Sequence, residues 1–249
     1  NVFGKNVDES FQRVMAGENV NGSKGESGGN KFESTGEFWR IEGVPYRGQT
    51  YSVDLLKSLL DNGTARTQEQ WSEFSNNSMQ NGSFYVPDFP LLHSTLETLY
   101  RNREGVNKDE IEKAREVVQT QARAKWLMNL TRIRNTPQGL DEIIHNYKTT
   151  QQYSRQVNFV GGDGNLIEVA TPEVCEALVG YSDREGIVNV YKWLNKTEDT
   201  YLWRVNSKPK DIDERVAWLD ANSFRAVLYC FWDPLNSGSV LGVRVVAKN

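Results

Sequence analysis

Few side chains in this sequence have the chemistry of a catalytic or metal site. The two cysteines, Cys175 and Cys230, lie far apart and lack the C-x-x-C spacing of a redox or zinc site. The two histidines, His93 and His145, limit both zinc chemistry and catalytic triads. We expect the cysteines to be small buried hydrophobic residues and the histidines to be structural or surface residues. The sequence therefore predicts no catalytic group, no metal and no cofactor.

Two polar stretches could be mistaken for functional motifs. "GGDG" at 161–164 lacks the lysine of a phosphate-binding loop and the regular carboxylates of a calcium loop. "KPKDIDER" at 208–215 carries carboxylates that could serve acid–base chemistry, but its composition is more typical of a solvated loop. We therefore interpret the first stretch as a hairpin turn and the second as a loop.

The strongest signal of a binding surface lies near the end of the chain. An alternating strand pattern over 223–231 predicts two faces. One face has Phe224, Ala226, Leu228 and Cys230; the other has Ser223, Arg225, Val227, Tyr229 and Phe231. The first set suits a core, whereas the second mixes a charge, a hydroxyl and large aromatic rings, as partner-binding surfaces do. The alternative is an ordinary buried sheet that closes the domain.

The same region lacks four residue types. Lys, Glu, Gln and Met together make up 47 of the 249 residues, yet none occurs from Arg215 to Ala247. A buried sheet would also lack them, so this absence alone does not separate the two interpretations.

Charge and hydropathy argue against two classes of partner. The net charge of −4 and the pI near 5.4 argue against a nucleic-acid binder, because binding phosphates requires a basic face. No stretch approaches the run of about 20 apolar residues that spans a bilayer, so we expect no membrane insertion.

Periodicity and capping signals predict the elements that position this region. Residues 1–48 form a Gly/Asn-rich extension, either a flexible linker or an arm that packs on a neighbouring chain. The first half of the chain is predicted to form four helices: one at 52–63, one that begins after a capping box at Thr67–Gln70, one at 87–100 and one from Asn107 to Arg134. A hairpin is predicted around 161–164, followed by helices at 171–180 and 184–194. A strand is predicted at 200–206, and two or three strands in the tail.

The tail resembles a known family. "RVAWLDANSFRAVLYCFWDPLNSGSVLGVRVV" at 215–246, with Trp218, Cys230, Pro234 and a closing "LGVRV", resembles the end of a C-type lectin fold of the formylglycine-generating-enzyme type. More narrowly, it resembles the variable proteins of diversity-generating retroelements in archaea and archaeal viruses. The resemblance implies an α+β fold with helices flanking small twisted antiparallel sheets. It places a ligand-binding domain at 49–249 and a variable region at about 215–246.

In that family, a reverse transcriptase miscopies template adenines and converts AAY codons to NNY codons. These codons cannot encode Lys, Glu, Gln, Met or Trp, which fits the missing residue types. The resemblance implies a display protein that recognises a protein or a glycan on a cell or virion surface, and an oligomer is compatible with this role. The expected ligand-binding residues are Asp220, Ser223, Arg225, Val227, Tyr229, Phe231, Trp232, Asp233, Asn236 and Ser239. Trp232 has no NNY codon, so we expect it to be a fixed aromatic floor.

Two alternatives stay open. Enzymes of the formylglycine-generating type use two cysteines close together near the end of the chain, whereas here only Cys230 lies in the tail. We therefore expect no enzyme activity, with such an oxidase as one alternative. The other is a structural module of a virion or surface assembly.

Overall fold

The computed structural model describes residues 32–222 and 224–246, and it has an α+β architecture. The strands are β1 Phe32–Ser34, β2 Phe38–Tyr46, β3 Gln49–Leu59, β4 Leu127–Asn135, β5 Asp141–His145, β6 Tyr153–Val157, β7 Gly164–Asn165, β8 Asp199–Trp203, β9 Asp213–Ala221, β10 Arg225–Trp232 and β11 Leu241–Val246. The helices are α1 Gln68–Gln80, α2 Phe89–Arg101, α3 Lys108–Lys125, α4 Leu166–Val169, α5 Pro172–Val179 and α6 Arg184–Asn195, and a 3₁₀ turn covers Leu60–Gly63.

The strands form two sheets. The smaller sheet has the antiparallel order β1-β2-β3-β11, so the last strand pairs with one near the start of the described chain. The larger has seven strands in the order β6-β5-β4-β9-β10-β8-β7. Its neighbours are antiparallel except for β10 and β8, which run parallel.

The helix expected at 52–63 is wrong, because this segment is β3 followed by the 3₁₀ turn. Strand β3 lies between β2 and β11, and Val53, Asp54, Leu55 and Leu56 are all buried. A strand covered on both faces has a continuous apolar run, which periodicity alone does not separate from a buried helix.

The expected domain boundary between residues 48 and 49 falls in the turn that joins β2 to β3. Strand β2 pairs with β3 over its length, and Trp39, Ile41 and Val44 are buried in the main core. The folded domain therefore begins no later than Phe32. The rest of the expected extension, residues 1–31, lies outside the described residues.

The helices predicted after the Thr67–Gln70 capping box and at 87–100 are confirmed. Thr67 caps α1, and its hydroxyl and the Gln70 side chain form the reciprocal hydrogen bonds of a capping box. Asp88 caps α2 through the backbone N–H of Leu91, and Pro90 lies in the first turn. Helices α5 and α6 occupy the two segments expected for short helices.

The helix expected from Asn107 to Arg134 is too long. It ends at Lys125, because Trp126 has a left-handed backbone conformation with φ of 48°. The chain then continues as β4, in the middle of the larger sheet. The apolar residues after Trp126 therefore belong to a strand buried on both faces.

The hairpin expected around 161–164 is also wrong, because the strands on either side pair with different partners. Strand β6 pairs with β5, whereas β7 pairs with β8. The Asp163 carboxylate accepts hydrogen bonds from the backbone N–H of Arg204 at 2.8 Å and from the Asn206 amide at 3.2 Å. The glycine-rich loop is thus anchored to the chain that follows β8.

Helices cover one face of the larger sheet. Helix α6 packs on β8 and β10, and α3 packs on β9. The alternation of β10 directs Ala226, Leu228 and Cys230 into this core, as expected, and all three are fully buried. Side chains on the other face of β9 and β10 belong to a separate, smaller cluster around Trp218. In the described part of the chain, no helix is long and apolar enough to cross a membrane.

Candidate functional site

Strand register assembles a surface from three neighbouring strands of the larger sheet. Tyr229 of β10 pairs with Trp203 of β8 on one side and with Trp218 of β9 on the other. Two residues earlier, Val227 pairs with Tyr201 and Asp220. Directly paired residues place their side chains on the same face of a sheet. This face, opposite α3 and α6, therefore combines aromatic residues from all three strands.

A β-bulge brings Trp232 to the same face as Tyr229. The two residues are three positions apart and would point to opposite faces of a regular strand. The pairing shifts between them, from Tyr229 with Trp218 to Trp232 with Val216, so β10 has one extra residue. The Trp232 ring consequently stacks on Trp218, with centroids 5.3 Å apart and planes inclined by 27°.

Trp126 completes the surface from the end of α3. Its centroid lies 4.9 Å from that of Trp232 and 6.2 Å from that of Tyr229. On the other side of Tyr229, the Trp203 centroid is 5.5 Å away. We name Trp126, Trp203, Tyr229 and Trp232 the aromatic platform. Trp126 is 40% exposed and Trp203 37%, whereas Tyr229 and Trp232 are half-buried.

A buried carboxylate accompanies the platform. Asp220 is 6% exposed, and its Oδ1 has no hydrogen-bond partner among the described residues. Burial raises the pKa of Asp220. Burial also raises the pKa of Tyr229, the Asp220 charge raises it further, and Arg225 partly offsets this. The Arg225 guanidinium lies over the Tyr201 ring, 4.2 Å from its centroid.

Two turns hold the ends of β10. Before the strand, the Asn222 carboxamide oxygen accepts hydrogen bonds from the backbone N–H groups of Phe224 and Arg225, both at 2.9 Å. After it, the Asp233 carboxylate accepts the backbone N–H of Leu235 at 2.8 Å. Such local side-chain bonds favour turns over continued strand. They fix where β10 begins and ends.

The structure places the expected ligand-binding residues in three groups. Phe231 and Asp233 are exposed; Arg225, Tyr229, Trp232 and Asn236 are half-buried; Asp220, Val227 and Ser239 are buried. Ser223 lies outside the described residues. The expectation that the whole set is exposed to solvent is therefore wrong for the third group.

Each correction has a local cause. Val227 is enclosed by paired residues on both neighbouring strands. The Ser239 hydroxyl donates a hydrogen bond to the backbone carbonyl of Gly63 at 3.0 Å. It therefore joins two distant chain segments and does not face solvent. Phe224, expected in the core, is 81% exposed because it lies in the turn before β10 begins.

Phe231 does not belong to the aromatic platform. It is 48% exposed, and the Arg215 guanidinium lies over its ring, 4.9 Å from the centroid. Arg215 also pairs with Asp213 at 3.0 Å. Phe231 thus forms a second exposed aromatic position at the edge of β9 and β10.

Sequence reasoning missed the platform residues that lie outside the tail. Trp203 and Tyr201 alternate with the buried Thr200 and Leu202, and this pattern could have placed both rings on one face. Trp126 lies within the helix expected from Asn107 to Arg134, and that expectation does not indicate an exposed ring. No local signal marks the left-handed turn that exposes it, because Gly or Asn is the usual residue there.

The two cysteines and the two histidines are buried away from this surface. Both thiols are free and buried, and burial raises the pKa of Cys175 to about 12 and that of Cys230 higher still. Burial lowers the pKa of His93 to about 3 and also lowers that of His145. Within residues 32–222 and 224–246, no three His, Cys, Asp or Glu side chains are grouped as a metal site.

Comparison with protein-family models, with curated proteins and with solved structures finds no match for this chain. The surface is therefore interpreted from its own residues and geometry.

Proposed function

We propose that this chain is a ligand-binding display protein with a C-type-lectin-like scaffold of the formylglycine-generating-enzyme type. Residues 215–246 are its retroelement-diversified region, and its ligand is a protein or a glycan on a cell or virion surface. The observation that carries the proposal is the aromatic platform, which exposes large rings on the sheet face opposite α3 and α6. Tyr and Trp are among the residues that most often dominate binding energy at interfaces.

The proposal divides the surface into fixed and variable positions. Trp126 and Trp203 lie outside the tail, and Trp232 has no NNY codon, so these rings form a constant floor. Tyr229 and Arg225 come from the region that lacks Lys, Glu, Gln and Met. Hydrogen bonds to β8 and β9 hold the backbone of these positions. Different side chains can therefore be presented without refolding, and little conformational entropy is lost on binding.

The cysteine environment gives the oxidase alternative no support. A redox-active cysteine reacts as the thiolate in a partially exposed, electropositive setting. Cys175 and Cys230 are instead buried with raised pKa values. Binding by the platform therefore remains the function that the geometry supports best.

Binding measurements on the full chain test the proposal. The double variant Trp203→Ala/Tyr229→Ala removes two adjacent rings of the platform, and Leu140→Ala removes a side chain that is 52% exposed in the turn before β5. Both variants and the wild type are applied to arrays of glycans and of cell-surface proteins. We expect ligands of the wild type to bind the double variant about tenfold more weakly or worse, with binding by Leu140→Ala unchanged. Equal binding by all three proteins would contradict the proposal.

A further inference from the structure

We propose that the aromatic platform and Asp220 together bind a cationic group, presented as a lysine or arginine side chain on the surface of a protein ligand. This inference rests on the proposed function, and it narrows the ligand class from protein or glycan to a protein with a basic side chain at its contact point.

The first observation is the lack of a charged partner for Asp220, whose burial is offset only in part by a backbone hydrogen bond from Ala221. Among the described residues, three other aspartates are buried, and each is satisfied. Asp54 binds Arg40 and Arg244, Asp88 accepts from the Tyr46 hydroxyl and the backbone of Leu91, and Asp141 accepts from the backbone N–H groups of Thr136, Phe159 and Val160. Asp220 is 6% exposed whereas the other three are fully buried, yet in the described chain no hydrogen bond reaches its Oδ1 and no ion pair includes it. A desolvated carboxylate without a counter-charge is costly, so a ligand that supplies the counter-charge would stabilise it.

The second observation is the free π surface beside it. The negative faces of Trp and Tyr rings attract cations. Elsewhere this chain uses such contacts itself, for example between Arg66 and Trp71 and between Arg132 and Tyr147. Among the described residues, no guanidinium or ammonium group lies over a ring of the platform, although Arg225 covers the adjacent Tyr201. The platform therefore combines unoccupied ring faces with an unpaired negative charge.

Register places the carboxylate next to the rings. Asp220 pairs with Val227, and two positions along the same strands Trp218 pairs with Tyr229. Both pairs face the platform side of the sheet, and the charge of Asp220 acts on the Tyr229 hydroxyl. A cation over Tyr229 and Trp203 would thus meet ring faces and the carboxylate together. A neutral sugar could stack on the rings and donate a hydroxyl, but it would leave the Asp220 charge uncompensated.

The openness of the platform favours a protein side chain over a small quaternary ammonium ligand. The centroids of neighbouring platform rings lie 4.9–6.3 Å apart, so the rings contact one another and leave no gap for a ligand between them. The ligand must lie on top of the rings. Small ligands usually require a site that encloses most of their surface, whereas a side chain projecting from a protein gains the rest of its contacts from the interface around it.

Titration of the full chain with matched charged and neutral probes tests the inference, with tryptophan indole N–H signals observed by NMR at constant ionic strength. The probes are Nα-acetyl-arginine amide against its citrulline counterpart, and Nα-acetyl-lysine amide against the form also acetylated at Nε. Because these probes lack the surrounding interface, we expect a charged probe to give saturable shifts with a Kd on the order of 1 mM, and its neutral counterpart to bind at least about tenfold more weakly. Choline and methyl glycosides serve as probes for a small quaternary ammonium and for a neutral sugar.

Variants separate this inference from the proposed function. Asp220→Asn keeps the side-chain size and removes the charge, so it should lose the preference for the charged probes. Asp211→Asn removes an exposed carboxylate of the loop before β9 and should retain it. Four results would overturn the inference. Two concern the matched probes: no saturable binding of either charged probe, or neutral probes that bind as tightly as the charged ones. The other two are an Asp220→Asn variant that binds the probes as the wild type does, and tighter binding of choline or a glycoside. If a glycoside bound and Trp203→Ala/Tyr229→Ala abolished that binding, the result would support the proposed display function and contradict the proposed cationic ligand.

Discussion

At the scale of single residues, Asp220 differs most from its surroundings. Buried aspartates elsewhere in the chain are matched by arginines, hydroxyls or backbone N–H groups, whereas Asp220 Oδ1 has no such partner in the described part of the chain. A structural carboxylate contributes stability through its partners. A carboxylate held for a ligand instead costs stability until the ligand binds, as functional groups often do.

At neutral pH, the free energy of unfolding of Asp220→Asn should therefore equal or exceed that of the wild type. Burial raises the Asp220 pKa above the unfolded value of 3.8, so the folded wild type binds a proton more readily than the unfolded chain. The wild type should then gain stability relative to the variant as pH falls through the raised pKa, and the gap between them should close. Urea denaturation across this range is the measurement. A loss of about 1 kcal/mol or more in Asp220→Asn would indicate a stabilising partner.

At the scale of elements, the end of α3 determines whether the platform is complete. Trp126 terminates the helix with φ of 48°, a conformation that costs a residue with a Cβ about 1–2 kcal/mol. Its exposed ring contacts Trp232 and Tyr229. Strain of this kind at a candidate binding surface is consistent with a residue kept for its side chain rather than for its backbone preference.

Trp126→Gly should consequently be more stable than Trp126→Ala by about 1 kcal/mol, because glycine adopts this backbone conformation without the Cβ penalty. Both variants remove the ring equally, so the comparison isolates the backbone. Urea denaturation of the two variants is sufficient to measure the difference. An alanine variant as stable as the glycine variant would show that the left-handed turn is absent.

The turn before β11 packs against Trp218, the ring on which the platform residue Trp232 stacks. A Cβ added to Gly238 would lie 2.6 Å from the Trp218 ring, and Trp218 stacks on Trp232. Gly238→Ala should therefore destabilise the fold by about 1–3 kcal/mol. Gly162→Ala is the matched control, since a Cβ there would meet nothing within 4 Å, and it should change stability by less than about 0.5 kcal/mol. Equal effects of the two variants in thermal denaturation would argue against close packing on Trp218.

Capping signals predicted the starts of two helices, whereas segments whose structure depends on long-range pairing were predicted poorly. The Thr67 capping box and the Asp88 cap lie within a few residues of the groups they satisfy, so the sequence shows them directly. The strand character of β3 depends on its pairing with β2 and with β11, and β11 lies about 180 residues further along the chain. The β10 bulge likewise depends on its pairing with β9. The parity of Ala226, Leu228 and Cys230 was predictable, whereas the burial of Val227 was not.

At the scale of the whole molecule, the chain combines a helix-covered core with an exposed aromatic surface. The tail supplies β9, β10 and β11, so it contributes to both sheets as well as to the platform. Two of the four platform rings, Trp126 and Trp203, come from outside the tail, and only the folded sheet brings them next to Tyr229 and Trp232. The tail pattern predicted a binding surface, but its complete set of residues required the fold.

Sequencing of many natural copies of the gene tests the display function most directly. Variation should concentrate at positions that reach solvent or the ligand, with substitutions at the buried Val227 and Ser239 restricted to side chains of similar size. The positions expected to vary freely are Asp220, Arg225, Tyr229, Phe231, Asp233 and Asn236, and those expected to stay constant are Trp126, Trp203, Trp218, Cys230, Trp232, Gly242 and Arg244. Adenine-directed mutagenesis predicts that Lys, Glu, Gln and Met stay absent from the varying positions. Substitutions spread evenly over residues 150–246, or Lys and Glu at the varying positions, would contradict a diversified display surface.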